Sequence, residues 1–555
     1  MADAKVSAHH AELALDNDAD IAKEGFITVE EFDGDVNLAP ADGTTYLIPA
    51  PSADPRDPLN LPLYRKLILL AVVALFSSIG LSMVSGLGGL LGIFIPGYVA
   101  EGKGYADITN LMTYPTLFMG LGNLIGMPLA LAVGRRPVYL GSCIVMVVAS
   151  VLCATQKNYE WHLAARMVLG LAAGQSEALC PLMVQETFFL HERAKYQMIF
   201  SAIGNILTTV LVLMASYIAA RIGADGWYGL GAGFAGLVLV LSILFVPETK
   251  YDRPLAAYQG QTMRVGAFAG QTGEANNNDY IVHRLTTTDE RELDLVRFAP
   301  RTFASDLRLF VYKPDWSEAT RTIYRMFTVM FFPDIMWGFL LNGLTLGVNV
   351  AIGTTYGAIL EAAPYSWPSQ NVSFATAGQI IVSFLSLPIL GWGSDWIVKY
   401  FARRNGGVHQ PQFRLVPLIL PACVGVLSSI LYGQAASHPG KLHWFAIAFA
   451  VNAYYFCFLG ANQSAIVYAL DAYPTRSGPV LVVICAYRGI LSFGTSYAVQ
   501  PFIDLRGYDG AFLVYGLLTG VLAAIGIPIY FFSARIRAYC SKYTTPSSTT
   551  KPTYS

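Results

Sequence analysis

The chain has 555 residues, of which 54% are hydrophobic and only 13% charged, and its net charge is −1. Soluble domains carry about 25% charged residues, so a freely soluble globular fold is excluded, and a charge this near zero argues against a nucleic-acid partner. The apolar residues come in blocks of about 20 or more, the helical length that crosses about 30 Å of hydrocarbon, rather than in the periodic stripes of a soluble core.

Residues 1–63 open with "MADAKVSAHHAELALDNDADIAKEGF". They are polar and acidic and lack an apolar h-region, so they read as a disordered cytosolic tail and not as a signal peptide. Six spans follow, at 67–91, 108–133, 138–156, 161–185, 197–221 and 227–246, making a first six-helix half over 64–246. The stretch 247–327 contains "GQTGEANNND" and "TTTDERELD" and reads as a solvated cytosolic linker with room for one short helix. Six more spans, at 328–355, 374–397, 414–434, 443–469, 478–502 and 511–533, make a second half over 328–537, and 538–555 read as a second cytosolic tail. The expected fold is an all-α polytopic membrane protein of twelve transmembrane helices in two six-helix halves. Six of the seven cysteines fall inside apolar runs and no C-x-x-C or His/Cys cluster occurs, so the chain predicts neither a metal site nor a disulfide framework, and no cofactor.

Lys and Arg in short loops orient the spans. With the N-terminus inside, the inner flanks hold fourteen basic residues, among them Arg65, Lys66, Arg135, Arg136, Arg403, Arg404, Arg414 and Arg535, and the outer loops hold five. Both termini and the linker are therefore expected in the cytosol. Asn371-Val372-Ser373 is an N-glycosylation sequon on the other side, between spans 7 and 8.

Span 2 ends "MPLALAVGRRP" and span 8 ends "LPILGWGSDWIVKYFARR", each with an inner-end proline followed by basic residues. Span 4 reads "ARMVLGLAAGQSEAL"; "DPRDPLNLP" precedes span 1, "QETFFLHERAKY" follows span 4, "PETKYDRP" follows span 6 and "YALDAYP" follows span 10. Together, over roughly residues 54–540, they resemble the major facilitator superfamily, and within it the fungal twelve-span, drug:proton-antiporter-like group. That family's motif after span 2, G-x-L-a-D-r-x-G-R-R/K, matches at Gly134, Arg135 and Arg136, but its acid is Leu131 here; the second half keeps the acid as Asp395. Arg166, Gly170 and Gly174 match the R-x-x-q-G-x-g-a motif of span 4. The antiporter motif G-P-x-x-G-G of span 5 is absent, its place taken by "LVLMAS", Leu211 to Ser216.

The resemblance implies a major facilitator fold with a cavity between the halves, and Gly134, Arg135, Arg136 and Asp395 as parts of an inner gate. With the motif acid missing, Arg135 or Arg136 is expected to contact a helix C-terminus or an acid of the other half, with Asp471 the candidate.

Ionisable groups inside a bilayer are costly and are functional candidates by default. Arg166 and Glu177 lie eleven residues apart in span 4, about three turns, which puts them on one face of a continuous helix. Arg488 of span 11 lies at the depth of Glu177, so a pair across the halves is one arrangement and pairing within each half the other. A cross-half pair would be broken by protonating Glu177, which makes Glu177, Arg166 and Arg488 the proton-coupling candidates. Asn342, Asn349, Gln379, Asn462 and Gln463 are polar groups able to orient a ligand, and Tyr454 and Tyr455 are rings able to stack on one; each also has a plainer role as interhelical glue. Gly97 to Gly104, "GYVAEGKG", falls one residue short of a P-loop and lies in an outer loop, which excludes nucleotide binding there.

The leading expectation is a secondary transporter that exports a small organic compound in exchange for protons, acting as a monomer in the plasma membrane. A proton-coupled importer of an organic cation or nutrient is the alternative, favoured by the missing motif of span 5. A non-transporting sensor in the same fold ranks below both, and an enzyme is not expected.

Overall fold

The computed structural model describes residues 47–541, apart from 48, 254–256, 258–260, 266–279, 285–292, 296–297, 406–409 and 474–476. Eleven helices among the described residues are long and apolar enough to cross a membrane. One of them, Lys195–Phe245, has 51 residues and breaks at Gly223, where φ is +81°, so it makes two crossings and the total is twelve. We number them α1 (Leu63–Ser85), α2 (Tyr105–Val133), α3 (Arg135–Thr155), α4 (Tyr159–Thr187), α5 and α6 (190–222 and 224–245), α7 (Pro333–Glu361), α8 (Ser369–Arg404), α9 (Pro411–Ser437), α10 (Trp444–Ala472), α11 (Ser477–Tyr497) and α12 (508–541). Many large side chains open to the surroundings, such as Trp392, Phe531 and Leu427, lie on these crossings and form the face that lipid covers.

Two crossings depart from regular helix, and each break has a local cause. Within α4 the chain tightens into a 3-10 turn over Gly174–Ser176 before helix resumes at Leu179–Thr187. Glycine and serine are weak helix formers, and Pro181 has no N–H to give to the Glu177 carbonyl four residues earlier. The expected single face shared by Arg166 and Glu177 is lost at this break. In α8, Pro388 stands in a π-helical turn, Leu387–Trp392, because its missing N–H widens the hydrogen-bond ladder.

The second half begins later than expected. The apolar run from 328 is divided at Phe331 and Phe332, and α7 starts at Pro333, whose lacking N–H costs nothing at a first helical position. Residues Trp316–Met330 form a separate amphipathic helix, capped by the Asp315 carboxylate, which accepts from the Ser317 and Glu318 amides. Thr322, Met326 and Val329 make its buried stripe, packed on α2 and α11. Other described residues of the linker also form regular structure. Gln261–Val265 pairs antiparallel with Tyr280–Arg284, and Phe303–Asp306 is a short helix; residues 270–279 and 286–292 lie outside the described residues.

The expected disordered tail is likewise corrected at its end. Asp57 is fully buried, caps the turn Pro58–Asn60 and pairs with Arg253 at 2.6 Å, while Lys66 Nζ donates to the Leu59 carbonyl. This stretch is pinned between α1 and the segment after α6; residues 1–46 lie outside the described residues.

The halves touch along two seams, closed at both ends of the bundle. Along α2 and α11, Tyr114 meets Phe493 with ring centroids 5.3 Å apart, and Leu131 packs on Gly478 at the end that carries the linker. Along α5 and α8, Tyr217 donates to Asn371 at 3.0 Å on the opposite face, and Met198 packs on Gly391 nearer the linker face. The seven cysteines are free thiols and only Cys423 is exposed.

Candidate transport site

The break in α4 places Glu177 at the seam. Its main-chain carbonyl, which Pro181 cannot serve, accepts instead from the Cys485 thiol of α11 at 3.1 Å. Its carboxylate takes the Arg488 guanidinium at 2.6 Å, with the two side chains only 12% and 4% exposed. Arg488 also donates to the Asn462 amide oxygen of α10, and its Nε has no partner. One buried ion pair thus joins the first half to the second. Removing one partner of a buried pair strands a charge at a cost of about 3–5 kcal/mol.

Arg166 lies elsewhere. Its guanidinium is buried and donates to the carbonyls of Met83 and Val84, in the last turn of α1, and of Leu111 in α2, at 2.6 to 3.2 Å, and to the Tyr228 hydroxyl at 2.8 Å. His162, one turn before it, bridges the hydroxyls of Tyr98 and Tyr228. The last carbonyls of a helix lack intrahelical donors and favour positive charge. Arg166 therefore staples α1, α2, α4 and α6, and does not reach Glu177.

The neutral candidates divide by location. Asn342 of α7 is fully buried, and neither its amide nitrogen nor its oxygen has a partner. Asn462 holds Arg488, and Tyr455 lies on the same face of α10 two turns earlier, stacked at an angle on Phe458 with 6.2 Å between centroids. Asn349, Gln379 and Gln463 are half-buried. Tyr454 belongs to the interior of the second half: its hydroxyl meets Thr519 of α12 at 3.2 Å, and it is not a ring available to a ligand between the halves.

At the linker face both arginines of the basic motif are held by the first half and the linker, although Arg136 Nε has no partner. Gly134 has φ +132°, and a Cβ there would lie 2.5 Å from the Glu248 carboxylate, so only glycine fits. Glu248, just after α6, accepts from the amides of Arg135 and Arg136 and so caps α3. The Arg135 guanidinium holds Glu186, at the end of α4, at 2.6 Å. Arg136 donates to the Ile243 carbonyl in the last turn of α6 at 2.7 Å and to the Arg308 carbonyl. A helix C-terminus is thus a partner, as expected, but the acids come from the same half. Asp471 is taken by Arg414, which also holds Asp395, at 3.0 and 2.7 Å. Lys250 Nζ donates to the Leu131 carbonyl at the end of α2; burial, with Arg135 nearby, pushes its ammonium below the usual lysine range.

Three acids escaped the sequence reading. Glu186 and Glu248 stand in the quoted "QETFF" and "PETK", and the signal was an acid directly after a span. Asp334, at the second position of α7, is buried and accepts from the hydroxyls of Tyr468 and Tyr473, at 3.1 and 2.9 Å, tying α7 to α10. The sequon residue Asn371 is half-buried, and its amide oxygen accepts the Tyr217 hydroxyl across the seam.

A profile of the Major Facilitator Superfamily matches residues 70–480. An MFS-type transporter of Schizosaccharomyces pombe is 23% identical over 541 residues, covering 90% of this chain and 89% of its own. A multidrug transporter of Candida glabrata is 22% identical, with 86% of this chain and 75% of the relative covered. Among solved structures, the xylose transporter XylE from E. coli, in a partially occluded inward-open form, superposes with a TM-score of 0.55 at 14% identity, covering 84% of this chain and 98% of its own. Twelve crossings in two halves, the glycine–arginine loop after α2 and a match over most of the length lead to one conclusion: the chain belongs to the Major Facilitator Superfamily, and it is a membrane transporter rather than an enzyme.

Proposed function

We propose that this transporter moves a small organic compound by alternating access, with protons as the coupling ion and the Glu177–Arg488 pair as the coupling device. The observation that carries the reading is that pair: an acid of α4 with a side chain 12% exposed and a buried arginine of α11, 2.6 Å apart across the seam. Protonating Glu177 cancels the charge that holds Arg488, so the energy joining α4 to α11 falls when a proton binds. Parting the halves separates the two side chains, which links the state of the pair to conformation. The linker face is the cytosolic one in this reading, consistent with the basic residues gathered there, and the plasma membrane is the proposed site. Export is the leading direction, by likeness to the multidrug relative; import is the second reading, favoured by "LVLMAS" standing where antiporters carry G-P-x-x-G-G.

The test has two steps. Comparing metabolites in cells with and without the protein identifies the cargo, and uptake and efflux of that cargo at two external pH values give direction and coupling. Glu177→Gln is expected to reach the membrane yet lose gradient-driven accumulation. Full pH-dependent transport by that variant would remove Glu177 from the mechanism.

A further inference from the structure

Around the ion pair the structure gathers hydrogen-bonding atoms that nothing in the protein satisfies. Asn123 of α2 and Asn342 of α7 are fully buried, with amide nitrogen and oxygen unpartnered in both. Ser492, one turn beyond Arg488 on α11, is fully buried with a free hydroxyl. Gln175 donates to the Gly122 carbonyl at 2.7 Å, but its oxygen is open, as is Arg488 Nε. Buried polar groups are almost always paired, and those that are not call for an explanation.

Helix geometry aims the two asparagines at one place. Pro115, Met119, Gly122 and Gly126 of α2 pack on α4, and Thr116 and Gly120 pack on α11. At about 100° per residue, Asn123 falls in the angle between those two faces, where α4 brings Glu177 and α11 brings Arg488. On α7, Gly343 and Gly347 face α11, Gly338 faces Ala465 of α10, and Gly353 faces the first half at Met112. Asn342 points between the last two directions, into the same space from the other side.

We infer that Asn123, Asn342, Ser492 and Arg488 Nε are the ligand-orienting groups of this site, and that the cargo is a small polar compound of no net charge that both donates and accepts hydrogen bonds. Two amides offer a donor and an acceptor each, and the hydroxyl serves either way. The only charges described there cancel each other. A lone cation or anion would enter a low-dielectric space with no free counter-charge, whereas a neutral polar molecule completes the open bonds and leaves the ion pair intact. This inference rests on the alternating-access transport site around the Glu177–Arg488 pair proposed above, and goes beyond it in naming the chemical class and Asn123, which the sequence reading passed over.

The full chain, purified in detergent, is heated alone and with single probes. One set is neutral and polar: free sugars, polyols and N-acetyl amino-acid amides. The other set is charged: tetraphenylphosphonium and benzoate. At least one neutral probe is expected to raise the unfolding temperature of the wild type, and the charged probes to leave it unmoved. Asn123→Leu and Asn342→Leu are expected to unfold at the wild-type temperature or above, because each removes an orphaned amide. Each is also expected to weaken the neutral probe about tenfold or more, the loss of a pair of hydrogen bonds. Variants that unfold earlier and keep the wild-type affinity would make the amides structural and overturn the assignment. A shift from the charged set alone, or none from the neutral set, would overturn the ligand class. Probe binding in Glu177→Gln keeps the two readings apart. If the neutral probe still binds there and transport still follows pH, the coupling proposal fails and this one stands.

Discussion

Arg135 at the start of α3 and Arg414 at the start of α9 occupy corresponding places in the two halves. Each holds an acid from the linker-face end of the next helix, Glu186 of α4 and Asp471 of α10. The second acid differs in origin. Arg414 takes Asp395 from α8, the family's motif position, whereas the first half has Leu131 there and draws on Glu248 from beyond α6. The part repeated in both halves is therefore the arginine with its distant acid. The nearer acid is replaceable, provided another carboxylate serves the arginine or caps the helix that carries it. Freed from that duty, Leu131 packs on Gly478 and gives the α2–α11 seam a dry contact at the linker face.

The comparison can be broken most directly by removing the arginines. Arg135→Ala leaves Glu186, only 16% exposed, without its counter-charge, and is expected to cost about 3 kcal/mol, as for a buried pair. Arg414→Ala leaves Asp395 and Asp471, 41% and 23% exposed, where water screens them, and is expected to cost about 1 kcal/mol. Thermal unfolding of the purified variants measures both, and equal losses would mean that the two clamps are energetically alike. Gly134→Ala falls between the two, at about 1–2 kcal/mol, because a Cβ is strained at positive φ and presses on Glu248; an unchanged unfolding temperature would show that the loop relaxes freely. The smallest effect is expected from Leu131→Asp, which restores the motif acid beside the first turn of α11. A carboxylate at a helix N-terminus gains about 0.3–1 kcal/mol, offset by the lost packing on Gly478, so the net change in stability should stay within about 0.5 kcal/mol in either direction. A loss as large as that of Arg135→Ala would show that the dry contact is indispensable.

Much of the fold was legible because a membrane demands length: an apolar block long enough to span is hard to mistake. Edges were harder. The run through Met330, Phe331 and Phe332 is apolar on both sides of a helix break, so composition alone could not separate the amphipathic helix from α7. The depth of Glu177 and Arg488 could be counted from the ends of their spans, and a pair across the halves was one of the arrangements left open. The shared face of Arg166 and Glu177 could not, because counting at 3.6 residues per turn assumes a regular helix, and Gly174–Ser176 is not one. Asn123 was passed over because nothing in its neighbourhood, "GLGNLIG", distinguishes a side chain aimed between two partner helices from one buried against a single partner.

The cysteines carry a practical consequence. Six of the seven thiols are buried, and the exposed one, Cys423, stands on α9 within a stretch that crosses the membrane. To a water-soluble alkylating dye the native chain is close to blank. A single cysteine at Gln370, beside Asn371 on the face opposite the linker, or at Lys313, just ahead of the amphipathic helix, would be read against a nearly silent background. Orientation, and the opening of either face in turn, thereby become optical quantities in a protein whose own thiols need no replacement.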